Sequence, residues 1–310
     1  MNPASDDQRI NPLIVLIIGA VFISFAPVFV KLVGNDRLGP TAIGFWRTLF
    51  GSLVLFGMAG ARGRGLMITP RLMRISVLAG FVFFLDLFVW HRSIVYSGAG
   101  MATILGNTQV FMTAILSFLI FKEKLTLRFW IAAISAIAGV ALLVGLVAED
   151  VVFTHRYVLG VAFGLSTGIV YSNYLIVMRW TAHREGLNNV MAFMAWTSLF
   201  SAAFLGSAGL IERVPMLPPD PPSWIWLVSL GITAQALGWW TITWALARID
   251  AARAGLVLLI QPTLAMVWGV IWFAEQFTAT QAVGAAITLA AIYYGSLRRA
   301  GRPPAATGRT

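Results

Sequence analysis

Apolar runs of roughly 18 to 24 residues recur along this chain, and at 1.5 Å per residue each is long enough as a helix to cross a hydrocarbon layer of about 30 Å. Ten are counted, near residues 12–33, 40–60, 73–91, 98–121, 126–147, 157–178, 188–210, 224–247, 252–273 and 279–297. A large soluble helical core would need polar outer faces, which these runs lack. With 59% of residues hydrophobic, 11% charged and a mean hydropathy of +0.83, the expected fold class is an all-α integral membrane protein lodged in a lipid bilayer. The first run follows Asp6 and Asp7 rather than a basic cluster, and no cleavage site follows it, so it is read as a span and not a leader.

The chain also says nearly the same thing twice. Ala102–Thr126 aligns without a gap to Ala254–Thr278, about 152 residues on, so that Gln109 falls on Gln261, Glu123 on Glu275 and Thr126 on Thr278. A weaker echo sets Trp46 near Trp196. The charges differ: Lys122 and Lys124 flank Glu123, whereas Ala274 and Gln276 flank Glu275. That change is what the positive-inside bias favours if the second copy lies upside down. Five spans per half, an odd number, require the same inversion. The expected architecture is ten transmembrane helices in a 5+5 inverted repeat, with halves 1–150 and 151–310.

Arginine and lysine alternate with the connections. One side carries Arg9, Arg62, Arg64, Arg71, Arg74, Lys122, Lys124, Arg128, Arg179, Arg184, Arg248, Arg253, Arg298, Arg299, Arg302 and Arg309. The other carries only Arg37, Arg92, Arg156 and Arg213, beside Asp36, Glu149, Asp150, Glu212 and Asp220. Both termini are therefore expected in the cytoplasm, and the net charge of +10 is a topology signal rather than a nucleic-acid footprint. The absence of cysteine removes thiol chemistry and disulfides. His91, His155 and His183 are too scattered for a metal site, and no cofactor is expected.

Polar groups at membrane depth are costly, so each is a candidate for function. Asp86 is the one acid deep in an apolar span, and Arg47 lies about a third of the way into the second run. Asn107, Tyr171, Gln235 and Gln261 add neutral polar groups, while Trp46, Trp90, His91 and Trp239 neighbour them in sequence. Each also has a structural alternative: an Asp–Arg pair joining helices, interhelical hydrogen bonds of about 0.6 kcal/mol apiece, or aromatic belt. Gln109 is undecided between a cavity and packing at the pseudo-two-fold. Gly160, Gly164 and Gly168 form a small-residue ridge suited to close helix packing. Pro262 predicts a break in the ninth run, freeing the Leu258 carbonyl, and the absence of proline predicts none in the fourth. The fifth and tenth runs hold almost no polar side chain and should buttress the halves. An intramembrane enzyme would need a nucleophile with its base; Asp86 and His91 are five apart, off a common helical face, so no catalytic residue is assigned.

The two Gln/Glu blocks, together with ALARIDAARAGLVLLIQP before Glu275, resemble the repeated signature of the drug/metabolite transporter superfamily in its EamA-like branch. The sequence overall most resembles the YddG-type bacterial exporters of aromatic amino acids. The resemblance implies a bacterial inner-membrane exporter with a central cavity and a small-molecule substrate, an aromatic or similar neutral amino acid. The alternative is a multidrug or cationic-metabolite exporter, and a lipid-handling or scaffold protein is a third class, to be told by a long lipid-accessible groove. An inverted repeat suits such work, because two similar halves can exchange conformations and expose one cavity to either face.

Overall fold

The computed structural model describes residues 11–34, 37–61, 63, 66–97, 99–143, 154–274 and 278–296. Among them all regular structure is helical: α1 (Pro12–Ser24), α2 (Ala26–Val33), α3 (Pro40–Ala61), α4 (Pro70–Ser97), α5 (Ala99–Asn107), α6 (Gln109–Phe121), α7 (Leu127–Leu143), α8 (His155–Glu212), α9 (Pro221–Leu230), a π-helical segment (Gly231–Gly238), α10 (Trp239–Leu246), α11 (Ala251–Val257), α12 (Ile260–Phe273) and α13 (Ala279–Ser296). Eight stretches are long and apolar enough to span a bilayer, and Leu127–Leu142 is a shorter apolar helix. Asp6, Asp7, Arg9, Asp36, Arg62, Arg64, Glu149, Asp150, Glu275, Gln276, Arg298, Arg299, Arg302 and Arg309, used above, lie outside the described residues.

Helix α8, at 58 residues, would be about 87 Å long if straight. Its partners show that its two arms, His155–Glu185 and Val190–Glu212, run in opposite directions. The arm His155–Glu185 runs antiparallel to α4, with Gly164 against Ser93, Phe83 stacked on Tyr174 at 4.6 Å and Arg71 over Trp180. The arm Val190–Glu212 runs parallel to α4, with Gly80 against Phe200 and Arg92 paired to Glu212. The glycine ridge is a packing device: a Cβ would sit 2.7 Å from Ser97 N at Gly160, 2.7 Å from Leu105 Cβ at Gly164 and 2.5 Å from Thr108 Oγ1 at Gly168.

The spans are less regular than their hydropathy. The first breaks at Phe25, before Pro27, and the eighth carries the π segment. The expectation of a break in the ninth run alone is corrected: the fourth breaks at Thr108 and the ninth at Leu258–Leu259, within two residues of each other in the repeat register. Proline is not required. In the fourth, Thr108 Oγ1 donates to the Leu105 carbonyl at 2.5 Å and Asn107 Nδ2 to that of Thr103 at 2.8 Å, drawing carbonyls away from the helical ladder. The Leu258 carbonyl is not free either, because it accepts from the Gln261 N–H at 3.0 Å.

The charged residues gather at two ends. At one, Glu123 just beyond α6 is a clasp: its carboxylate accepts from Arg179 and from the Ala251 and Ala252 N–H groups at 3.2 and 3.4 Å, at the start of α11. Its side chain is 8% exposed and that of Arg179 16%. At the other end, Arg37 donates to Asp220 at 2.8 Å, and Glu212 takes both Arg92 and the Thr41 hydroxyl. The Ser223 hydroxyl and N–H, together with Arg37, hold the exposed Asp220 carboxyl below its usual range. The clasp has a partial counterpart. Arg179 lies 4.5 Å over the Phe121 ring and Lys31 4.2 Å over Phe273, the repeat mate of Phe121. The residues closing α6 and α12, Lys122 and Ala274, both take left-handed backbone, at φ 56° and 52°.

Candidate functional site

A cavity of about 200 Å³ lies among the breaks in the first, fourth and ninth spans, too large for a single water. Its walls come from the first, second, third, fourth, sixth, eighth and ninth spans. Neither α7 nor α13 contributes; these two pack on each other, the Thr288 hydroxyl reaching the Ala136 carbonyl at 3.4 Å. The lining residues sit at mid-helix or towards the Asp220 end. Towards Glu123 the bundle is filled by side chains such as Met178, Met191 and Leu246, at most 1% exposed.

Of the residues singled out in the sequence, Arg47, Asp86, Trp90, Asn107, Tyr171, Trp239 and Gln261 line this cavity. Trp46, His91 and Gln235 do not. Trp46 donates to the Met216 carbonyl at 2.7 Å and packs on Phe50 and Trp224, fastening the proline-rich connection. His91 is buried beside Gly44 and Trp90. Trp46 and His91 each follow or precede a lining residue by one, and a step of one turns a helix by 100°, off the lining face. Gln235 stands behind the wall: its Oε1 accepts from Arg47 Nε at 3.3 Å and its Nε2 donates to Ser198 Oγ at 3.0 Å. It therefore orients Arg47 and does not face the cavity.

Three of the lining residues each carry a buried polar atom without a hydrogen-bond partner: Asp86 Oδ1, Trp239 Nε1 and Gln261 Nε2. One is an acceptor and two are donors. Asp86 is 7% exposed, and among the described residues no direct ion pair joins it to Arg47 across the cavity. Buried polar groups are ordinarily satisfied, so these three, together with the cavity they border, make its wall the candidate ligand site. Phe83, Trp90, Tyr171 and Trp239 make the aromatic part of the wall. Trp239 meets Tyr174 edge-on at 4.7 Å, Phe83 at 5.6 Å and Tyr171 at 5.8 Å, and Tyr171 stands beside the Gln261 side chain.

Sequence reasoning missed Ser24, Pro27, Phe83, Thr103 and Thr167 as lining residues. Two were within reach: Phe83 is three before Asp86 and Thr167 four before Tyr171, hence on the same helical faces. Ser24 borders the Phe25 break and accepts from Trp268 Nε1 at 2.8 Å, a tertiary contact with no local signal. The repeat-matched glutamines part company. Gln109 Nε2 donates to the Gly255 carbonyl at 3.0 Å, stitching α6 to α11, and its Oε1 accepts from Thr113 at 2.9 Å, while Gln261 faces the cavity.

Known proteins resemble the chain over nearly all its length. An uncharacterized transporter of Archaeoglobus fulgidus is 24% identical over 89% of this chain and 93% of its own length. The uncharacterized transporter YdfC of Bacillus subtilis is 23% identical over 86% and 84% respectively. A crystal structure superposes with a TM-score of 0.80 at 18% identity, covering 92% of this chain and 96% of that one, which shows the fold to be shared. The family description "EamA-like transporter family" matches twice, over residues 11–145 and 158–296, and the protein is a multi-pass membrane transporter belonging to the EamA-like transporter family.

Proposed function

We propose that this transporter exports an amphipathic zwitterion, an aromatic or similar neutral amino acid, across a bacterial inner membrane by alternating access. In this reading the chain has ten spans in two inverted five-span halves, 1–150 and 151–310, with both termini cytoplasmic, and YddG-type exporters are its functional analogues. Two family matches in tandem and breaks within two residues of each other in the register of the fourth and ninth spans support the repeat. The gathering of Arg71, Arg179 and Arg184 at the Glu123 end supports the orientation, and a cavity nearer the opposite end then belongs to an outward-facing form.

The observation that carries the substrate class is the set of open valences at Asp86 Oδ1, Trp239 Nε1 and Gln261 Nε2 around an aromatic wall. Asp86 would take the ammonium, Gln261 and Arg47 the carboxylate, and Phe83, Trp90, Tyr171 and Trp239 the ring. Asn107 is a weaker candidate, since its amide is already bound to Thr103. A cationic solute would find an acid but also Arg47 in the same wall, which argues against the multidrug or cationic-metabolite alternative.

Uptake by liposomes holding the purified protein tests this, with phenylalanine, tryptophan, threonine and an organic cation compared. Phenylalanine and tryptophan should lead. One hydrogen bond to a charged group is worth about 1.5–3 kcal/mol, so Gln261→Ala should raise the apparent KM about 10- to 100-fold. Preferred transport of the cation would refute the reading.

A further inference from the structure

We propose that Arg71 and Arg184, gathered on the ring of Trp180, form a binding site for the phosphate of an anionic phospholipid in the leaflet at the Glu123 end. The site lies outside the cavity and does not depend on which solute is carried.

Two arginines from different helices meet at one indole. Arg71 opens α4 and Arg184 lies near the close of the first arm of α8, and their guanidinium carbons are 5.8 and 4.8 Å from the centroid of the Trp180 ring. Trp180 is half-buried while both arginines are exposed, the arrangement of an aromatic residue at the membrane boundary with charges turned to the headgroups. A ring face attracts each cation but carries no net charge, so the repulsion between the two is left standing.

No acid among the described residues answers them. Arg37, Arg92 and Arg179, by contrast, pair with Asp220, Glu212 and Glu123. Glu185 follows Arg184 in the chain and, among the described residues, makes no ion pair with either arginine. The place of Arg71 adds to the excess. It is the second residue of a 28-residue helix whose first turn holds no acid and whose start is capped by neutral groups, the Thr69 hydroxyl accepting from the Leu72 N–H at 3.2 Å and the Thr69 carbonyl from the Met73 N–H at 2.8 Å. A cation there opposes the positive end of the helix dipole, and an anion is favoured.

A phosphodiester matches this set, because its two free oxygens can take one guanidinium each in the forked hydrogen bonds that arginine makes with phosphate. The same face of α4 says that the phosphate belongs to a lipid. Arg71, Arg74, Leu78 and Phe81 follow one another at spacings of three, four and three, hence along one stripe, and all four are exposed. The stripe is basic at the boundary and apolar below it, as a headgroup with its acyl chains requires. A lipid held there ties α4 to the first arm of α8, the helices of Asp86 and Tyr171.

Native mass spectrometry of the full-length protein, stripped of lipid in neutral detergent, tests this with phosphatidylglycerol, phosphatidylcholine and inorganic phosphate as probes. Phosphatidylglycerol should bind in preference to phosphatidylcholine, and excess inorganic phosphate should not displace it. An arginine near an anionic surface counts for about 5-fold in affinity, so Arg71→Gln and Arg184→Gln should each weaken phosphatidylglycerol binding about 5-fold, and together about 25-fold. Arg128→Gln, which removes an arginine from the Tyr294 ring at the same end, should leave the first bound lipid in place. Phosphatidylglycerol should also raise the Tm of the wild type by more than that of the double variant. Equal binding of the two lipids, displacement by inorganic phosphate, unchanged affinity in the double variant, or an equal loss in Arg128→Gln each overturns the proposal. The comparison of probes on the wild type decides it even where a variant fails to fold.

Discussion

Glu123→Gln should loosen the end of the bundle that this structure holds shut. The carboxylate takes three hydrogen bonds, one from Arg179 and two from the Ala251 and Ala252 N–H groups, and both side chains of the ion pair are more than four-fifths buried. Glutamine keeps one acceptor oxygen and removes the charge that answers Arg179 and the positive end of α11. Losing the equivalent of one charge-assisted bond costs about 1.5–3 kcal/mol, which moves the balance between shut and open forms by about 10- to 100-fold. The native chain has no cysteine, so a single Met178→Cys, at a position 0% exposed here, gives a clean reporter. An impermeant maleimide offered from the Glu123 face should label it faster in the Glu123→Gln background by that factor. Arg179→Gln should act in the same direction, and the double variant should add little, since both remove one interaction. Unchanged labelling in protein of normal abundance would refute the idea that this contact holds the end closed.

Gly51→Ala should impair transport without touching solute, because its Cβ would lie 2.5 Å from Gln235 Cβ and push away the residue that orients Arg47; thermal unfolding should register an overpacking cost of about 1–3 kcal/mol. Trp239→Phe should reduce phenylalanine export more than threonine export, and equal losses would make Trp239, which is 2% exposed, a packing residue alone. Single cysteines at Lys124 and Asp220 should react with impermeant reagents from opposite faces, inside and outside respectively, and reaction from one face would overturn the proposed topology.

The helical membrane class was legible because bilayer thickness imposes itself on every span, and the duplication because its blocks align without a gap. The breaks were not. That in the fourth span depends on Thr108 and Asn107 turning their side chains back onto Leu105 and Thr103, a competition that hydropathy does not record. The π segment is also silent in the sequence. A helix with i→i+5 bonding turns its residues out of the usual register, so Gln235 stands behind Arg47 although it lies four before the cavity-lining Trp239. Asp86 and Arg47 were visible as costly groups in apolar runs. Their separation, each facing the same space without touching, belongs to the packing of α3 and α4 around α8 and has no local cause.

The difference between the two glutamines carries the outline of a shape that this structure does not adopt. The spacing that maps Gln109 onto Gln261 also maps Thr103 onto Gly255, and Thr113 onto Ala265. Gln109 reaches the carbonyl of Gly255 and is steadied by Thr113, whereas Gln261 has an alanine in place of that threonine and, like Thr103, lines the cavity. If the halves trade places, as inversion allows, Gln261 swings to the Thr103 carbonyl while Gln109 lets go of Gly255. A stitch undone on one side is then sewn on the other. Because Ala265 could not steady it, that second stitch would be the weaker, and an exchange of this kind would favour the form seen here.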